Sequence, residues 1–130
     1  LRHIHHKTSK NMTTIEKANG QGLNKSQYKN KVFTPKEMID YSDGGIVSKE
    51  LIHTRAGSVT LFSFDEGQQL SEHSAPFDAM VTVIDGEPEI FIDGVAHYPK
   101  AGDVLIMPAN HPHAVNAKTR FKMMLTMIGG

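Results

Sequence analysis

Gly102-Asp103-Val104-Leu105-Ile106-Met107-Pro108-Ala109-Asn110-His111-Pro112-His113-Ala114-Val115-Asn116 is the stretch that decides the fold of this chain. It opens on a Gly-Asp turn, runs through four apolar residues and stops at Pro108, which has no N–H to give a strand ladder. Asn110 suits positive φ better than most side chains, so the chain can reverse there before His113 begins a second run. A strand, a tight reversal and another strand follow one another with no room for a helix. Val104-Leu105-Ile106-Met107 is apolar at every position, which predicts a strand covered on both faces, by the barrel interior and by either a second sheet or a partner subunit.

The same punctuation extends outward on both sides. Short strands are predicted at Ile46–His53, Ser58–Phe64, Gln69–Ser74, Ala79–Asp85, Glu87–Ile92, Val95–Tyr98, Val104–Met107, His113–Ala117 and Phe121–Ile128. Asp85-Gly86 and Asp93-Gly94 carry strong hairpin-turn chemistry, and Ala101-Gly102-Asp103 is a further turn. Nine strands at this spacing, without an internal repeat, argue for an all-β sandwich or barrel. Ahead of them, Thr34-Pro35-Lys36-Glu37 has the marks of a helix start: a capping Thr34, Pro35 at the first helical position and Glu37 to complete a capping box. The expected helix is short and ends by Asp43-Gly44-Gly45.

The chain of 130 residues is long enough for one core and an arm. With Cys 0, disulfides, thiolate nucleophiles and cysteine metal sites are excluded. No apolar run reaches the ~18–20 residues of a membrane-spanning helix. A cytoplasmic location is the expectation, since no apolar signal segment is visible and cysteine is lacking. Zero net charge conceals an asymmetry: residues 1–31 carry seven Lys/Arg against Glu16, and residues 32–130 carry seven against thirteen Asp/Glu. Residues 1–31 read as a flexible basic arm, with 1–11 as upstream or added sequence, because Met12-Thr13-Thr14-Ile15-Glu16 has the look of a natural start. Residues 32–130 form the expected barrel domain. Nucleic acid is not the expected partner, since no aromatics interleave the arm's charges.

Two blocks carry the chemistry: Gly67 through His73, Ala75 and Ala79 to Gly86, and the stretch from Gly102 to Asn116. Together they resemble the two motifs of the cupin superfamily. The first runs Gly, five residues, His-x-His, three or four residues, Glu, six residues, Gly. The second runs Gly, five residues, Pro-x-Gly, two residues, His, three residues, Asn. Gly67 to His73, Gly102 to Pro108 and Pro108 to His113 keep these gaps, while Asn110 replaces a Gly and Asn116 falls one residue early. The resemblance covers roughly residues 46–128 and implies a small single-domain cupin, a double-stranded β-helix or jelly-roll barrel. It also implies that His73 and His113 stand at metal-ligand positions. Two further ligand positions are replaced, one by Ala75 and the other by Ala79 or Met80, depending on the gap.

A site reduced to two imidazoles falls short of the three or four protein ligands that zinc, iron, manganese or nickel usually receive. Ala75, Ala79 and Met80 instead border a pocket in which His73 and His113 are polar anchors. His111 is the candidate third ligand, although Pro112 makes its direction unreadable; His53 is a weaker one. His97 is expected to be exposed, Glu72 a solvated charge, and Asp78 either a partner of an imidazole or a loop cap. Met80, Met107, Met123, Met124 and Met127 read as core fillers rather than copper(I) ligands. Two functions remain open. One is a small-molecule-binding cupin with a reduced two-histidine site for a divalent transition metal (Zn, Fe, Mn or Ni). The other is a metal-dependent cupin enzyme of the dioxygenase, sugar isomerase or lyase type, using His73, His113 and His111. The apolar Val104 strand and the run from Phe121 to Ile128 predict a homodimer.

Overall fold

Phe77-Asp78-Ala79-Met80-Val81-Thr82-Val83 alternates between faces as a strand must, and its odd members are the buried ones: Ala79, Val81 and Val83 are at most 4% exposed. This strand belongs to a computed structural model that describes residues 27–129. Nine strands follow one 3-10 turn at Pro35–Glu37: β1 Ile46–Thr54, β2 Gly57–Phe64, β3 Gln69–His73, β4 Phe77–Gly86, β5 Glu89–Ile92, β6 Val95–His97, β7 Val104–Met107, β8 His113–Asn116 and β9 Phe121–Gly129. All pairings are antiparallel, in a five-stranded sheet of order β1-β2-β9-β4-β7 and a four-stranded sheet of order β3-β8-β5-β6. The all-β fold, with two antiparallel sheets in the manner of a jelly roll, is thus present. No helix among the described residues is long and apolar enough to cross a membrane.

The two inner faces meet in one core, centred on Phe64, Val81, Val83, Ile90, Met123 and Phe121. The rings of Phe64 and Phe121 stack with centroids 4.4 Å apart and fix the β2–β9 pair at its most deeply buried point. A second cluster lies outside the five-stranded sheet, where Ile39 packs with Leu51 and Leu61 and draws in Phe33, Met38 and Met124. Tyr28 also joins it, 5.6 Å from the Phe33 ring, so packing includes a residue ahead of Val32; the rest of the expected basic arm, residues 1–26, lies outside the described residues.

The segment between Thr34 and Asp43 departs from the expected helix. It makes only one 3-10 turn, and Thr34 forms no side-chain cap. The sheet claims its carbonyls instead: Lys122 Nζ donates to Lys36 O at 2.8 Å, Lys49 Nζ to Met38 O at 2.6 Å and Ser63 Oγ to Asp40 O at 2.8 Å. A carbonyl taken by the sheet is lost to the next turn of a helix, so the segment lies as a strap. Tyr41 Oη donates to Asp85 Oδ2 at 2.6 Å, which pins the end of the strap to β4.

Val104-Leu105-Ile106-Met107 is covered on one face within the single chain. Met107 is buried, but Val104 and Ile106 are 54% and 59% exposed. β7 is the edge of its sheet, and its outward residues lie beside Thr82 and Met80 on a face that the strap does not reach. Within one chain the run therefore has one buried face, and no second sheet covers the other among the described residues.

Gly86 ends β4 at φ +74°, where an added Cβ would stand 2.1 Å from Arg120 O. Gly94 has a similar φ of +79° but open space around it. Gly94→Ala should cost about 1 kcal/mol from the left-handed backbone alone. Gly86→Ala adds a backbone clash and should cost roughly 2–4 kcal/mol, read by urea denaturation. Equal costs would remove the close approach from the explanation. Asp65 gives a pH-dependent test. It accepts bonds from the Gly44 N–H at 2.6 Å and from Arg120 Nε at 2.8 Å, which together hold its carboxyl at about 2 against an ordinary 3.8. Its stabilisation is complete above the ordinary value and is lost as pH falls toward about 2. Carbon-detected NMR titration should find that midpoint in the native chain and a higher one in Arg120→Ala; an unchanged midpoint would remove Arg120 from the account.

Candidate functional site

His73 ends β3 and His113 begins β8, and the two are paired across the four-stranded sheet. Simple alternation would not bring them together. Leu70 pairs with Val115, yet two residues lie between Leu70 and His73 and only one between His113 and Val115. A strand keeps one face at even intervals, so an undistorted β3 would turn His73 away from the side that Leu70 occupies. The register shift between Leu70 and His73 absorbs the extra residue and restores His73 to the inner side.

The two imidazoles meet edge to face, with centroids 4.4 Å apart and planes at 66°. Nδ1 of His73 lies 2.9 Å from Ser71 O, and Nδ1 of His113 lies 3.3 Å from His111 O. A carbonyl oxygen only accepts, so both Nδ1 atoms carry hydrogen and Nε2 of each ring is left for a ligand. His113 is 8% exposed. Burial pushes its imidazole below the ordinary histidine range, and the charge that His73 would carry pushes it further down.

Beside the pair lies a cavity of about 400 Å³. His73, Ser74, Ala75 and His113 supply its polar and small side chains, while Leu70, Phe77, Ala79, Met107, Val115, Leu125 and Met127 make the apolar walls. Ala79 pairs with Met107 on one side and Met127 on the other. A methyl group between two long thioethers leaves room that a larger side chain would fill.

The structure brings together His73, His113, Ala75 and Ala79. It does not bring Met80 or His111 to the cavity lining. Met80 stands on the opposite face of β4 from Ala79 and is 37% exposed, as parity requires. His111 is half exposed, with Nδ1 2.8 Å from Asp93 Oδ2, and its carbonyl serves His113. His53 pairs with Glu50 on the exposed end of β1. Glu72 is exposed, and Asp78 caps the loop after β7 by accepting the Ala109 N–H at 2.9 Å. His97 differs from its expectation: it pairs with Ile90, and its Nδ1 is buried without a hydrogen-bond partner.

Among the described residues no three His, Asp, Glu or Cys side chains gather as a metal ion requires. Glu89, a buried carboxylate the sequence reading passed over, lies outside the cavity lining and binds Tyr98, Asn116 and Lys118. The Tyr98 hydroxyl donates to it at 2.7 Å, and that bond leads in holding its carboxyl below the usual range. The wall residues Leu70, Phe77, Leu125 and Met127 were also missed. Period-two counting along β4 and β9 from Ala79 would have found most of them.

Residues 60–129 match the family model described as the cupin domain. Several solved structures share the architecture. A conserved protein of unknown function from Streptococcus pyogenes is 32% identical, with a TM-score of 0.77, and the match covers 82% of this chain and 94% of that one. A cupin 2 conserved barrel domain protein from Leptotrichia buccalis is 42% identical, with a TM-score of 0.72, over 74% of this chain and 47% of that one. A cupin superfamily protein from Desulfitobacterium hafniense is 26% identical, with a TM-score of 0.72, over 78% and 93%. No protein of curated function matches.

Proposed function

The chain belongs to the cupin domain family, and on that premise we propose that it binds a small molecule in the apolar cavity, held at the mouth by His73 and His113. The observation that carries this reading is the cavity of about 400 Å³ set against the imidazole pair. Its size falls within the ordinary range for small-molecule sites, roughly 300–1,000 Å³. Apolar walls provide affinity through surface removed from water, and a few fixed polar atoms provide orientation.

The family also implies a divalent metal. The residues present do not fit a resident one. The two imidazoles offer two nitrogen ligands, and the remaining lining is hydrocarbon, thioether and the Ser74 hydroxyl, with no carboxylate. Zinc, iron, manganese and nickel ordinarily receive three or four protein ligands. The enzyme reading needs His111 as a third ligand, and His111 is engaged with Asp93 outside the lining.

We also propose that two copies of the chain associate as a homodimer. Met80, Val104 and Ile106 lie together on the outer face of β4 and β7 and are between 37% and 59% exposed. A second copy covering that row would remove apolar area from water.

Thermal-shift screening of the full chain with small amphiphilic compounds should give ligand-dependent stabilisation. Ala79→Leu places bulk between Met107 and Met127; it should abolish the shift while the variant stays folded. Equal shifts in both proteins would place binding elsewhere and defeat the reading. Elemental analysis of the same protein, purified without a metal column, should find no stoichiometric metal. Near-stoichiometric metal that is lost in His73→Ala would restore the metal reading instead. Light scattering should give a mass near twice that of one chain, and a value near one chain would end the dimer proposal.

A further inference from the structure

Two imidazoles at the mouth of an apolar cavity act on a ligand through the nitrogen that the protein leaves unused. In both rings that nitrogen is Nε2, because Nδ1 is turned to a backbone carbonyl two residues earlier, Ser71 O in one case and His111 O in the other. A neutral ring with hydrogen on Nδ1 has a bare lone pair on Nε2. The two rings, with centroids 4.4 Å apart, therefore bring two acceptors to the cavity lining. The rest of the lining sharpens the choice. It contains no Lys or Arg to receive an anion and no carboxylate to receive an ammonium group, and Ser74 is its one further polar side chain.

Resting on the small-molecule reading of the same cavity, we propose that the ligand is an uncharged molecule with an apolar body and a hydroxyl end, and that the hydroxyl donates to Nε2 of His73 or His113. An ionised acid brings its oxygen lone pairs against those of the imidazoles, and a bare hydrocarbon leaves both acceptors desolvated and unpaired. The recognised chemistry is thus an alcohol or a phenol, with the hydroxyl at the cavity mouth and the carbon skeleton against Ala79, Met107, Leu125 and Met127.

The test uses protein-observed NMR titration of the full chain, treated with a chelator, at roughly neutral pH. Five probes separate the chemistries: p-cresol and 1-hexanol carry a hydroxyl, toluene has the cresol body without it, and benzoate and hexanoate are anions. The hydroxyl probes should shift the methyl signals of Ala79, Leu125 and Met127 and should bind about tenfold more tightly than toluene, the worth of one net hydrogen bond. In the double variant His73→Leu, His113→Leu, p-cresol should fall to the affinity of toluene, and continued toluene binding shows that the cavity survives the change. Toluene binding as tightly as p-cresol to the native chain would overturn the proposal, since the imidazoles would then be bystanders. Tighter binding of benzoate or hexanoate would also overturn it, replacing the hydroxyl by an anion while leaving the cavity reading in place. No shift at the cavity methyls with any probe would defeat the cavity reading itself, and this proposal with it.

Discussion

Each inward position on these strands must contribute to a shared interior, and the distribution of bulk among those positions shapes everything else. Around Phe64 and Phe121 the contribution is large and flat, and the interior is filled by stacked rings. Around Ala79 and Ala75 the contribution is a single methyl group, and the interior stays open as a cavity. The filled part supplies the burial that holds the sheets together, which permits the open part to exist. Close-packed interiors do not ordinarily leave such room. The cavity is thus a property of two alanines placed among methionines, leucines and a phenylalanine.

The imidazole pair depends on a second departure from regularity. Regular pairing of β3 with β8 would have kept Leu70 inside and turned His73 away. One extra residue in β3 places both on the cavity side. The bulge thereby serves the site as directly as the histidines do, and changes at Ser71 or Glu72 act on His73 through the backbone. Ser71 has a second hold on the ring, since its carbonyl receives Nδ1.

Much of this was legible in the chain. Turn residues placed all nine strands within two residues at each end, because Gly, Pro and Asp-Gly pairs act locally and need no tertiary context. Asn110 adopts the positive φ expected of it, at 65°, and Gly67 and Gly102 have positive φ as well. The resemblance to the cupin motifs pointed to His73 and His113, which the structure pairs. What escaped depends on partners far away in sequence. The segment after Thr34 carried real helix-start residues, but Ser63, Lys49 and Lys122 took its carbonyls. Met80 and Ala79 were equal candidates by gap length, and only strand parity separates them. The outer face of β7 is not covered within one chain, because the strap stops short of it, and of the two expected covers only a partner subunit is left.

The walls around Ala79 have one more consequence. Met107 and Met127 are unbranched and turn about several bonds, so they can re-seat around guests of unequal outline with little movement of the backbone. The imidazoles have no such latitude, because each is held by its own strand. On the proposed reading the cavity would separate two kinds of selectivity: a tolerant interior for many carbon skeletons, and a mouth that tests one functional group. A binding site built in this way would recognise a chemical class of compounds rather than an individual molecule.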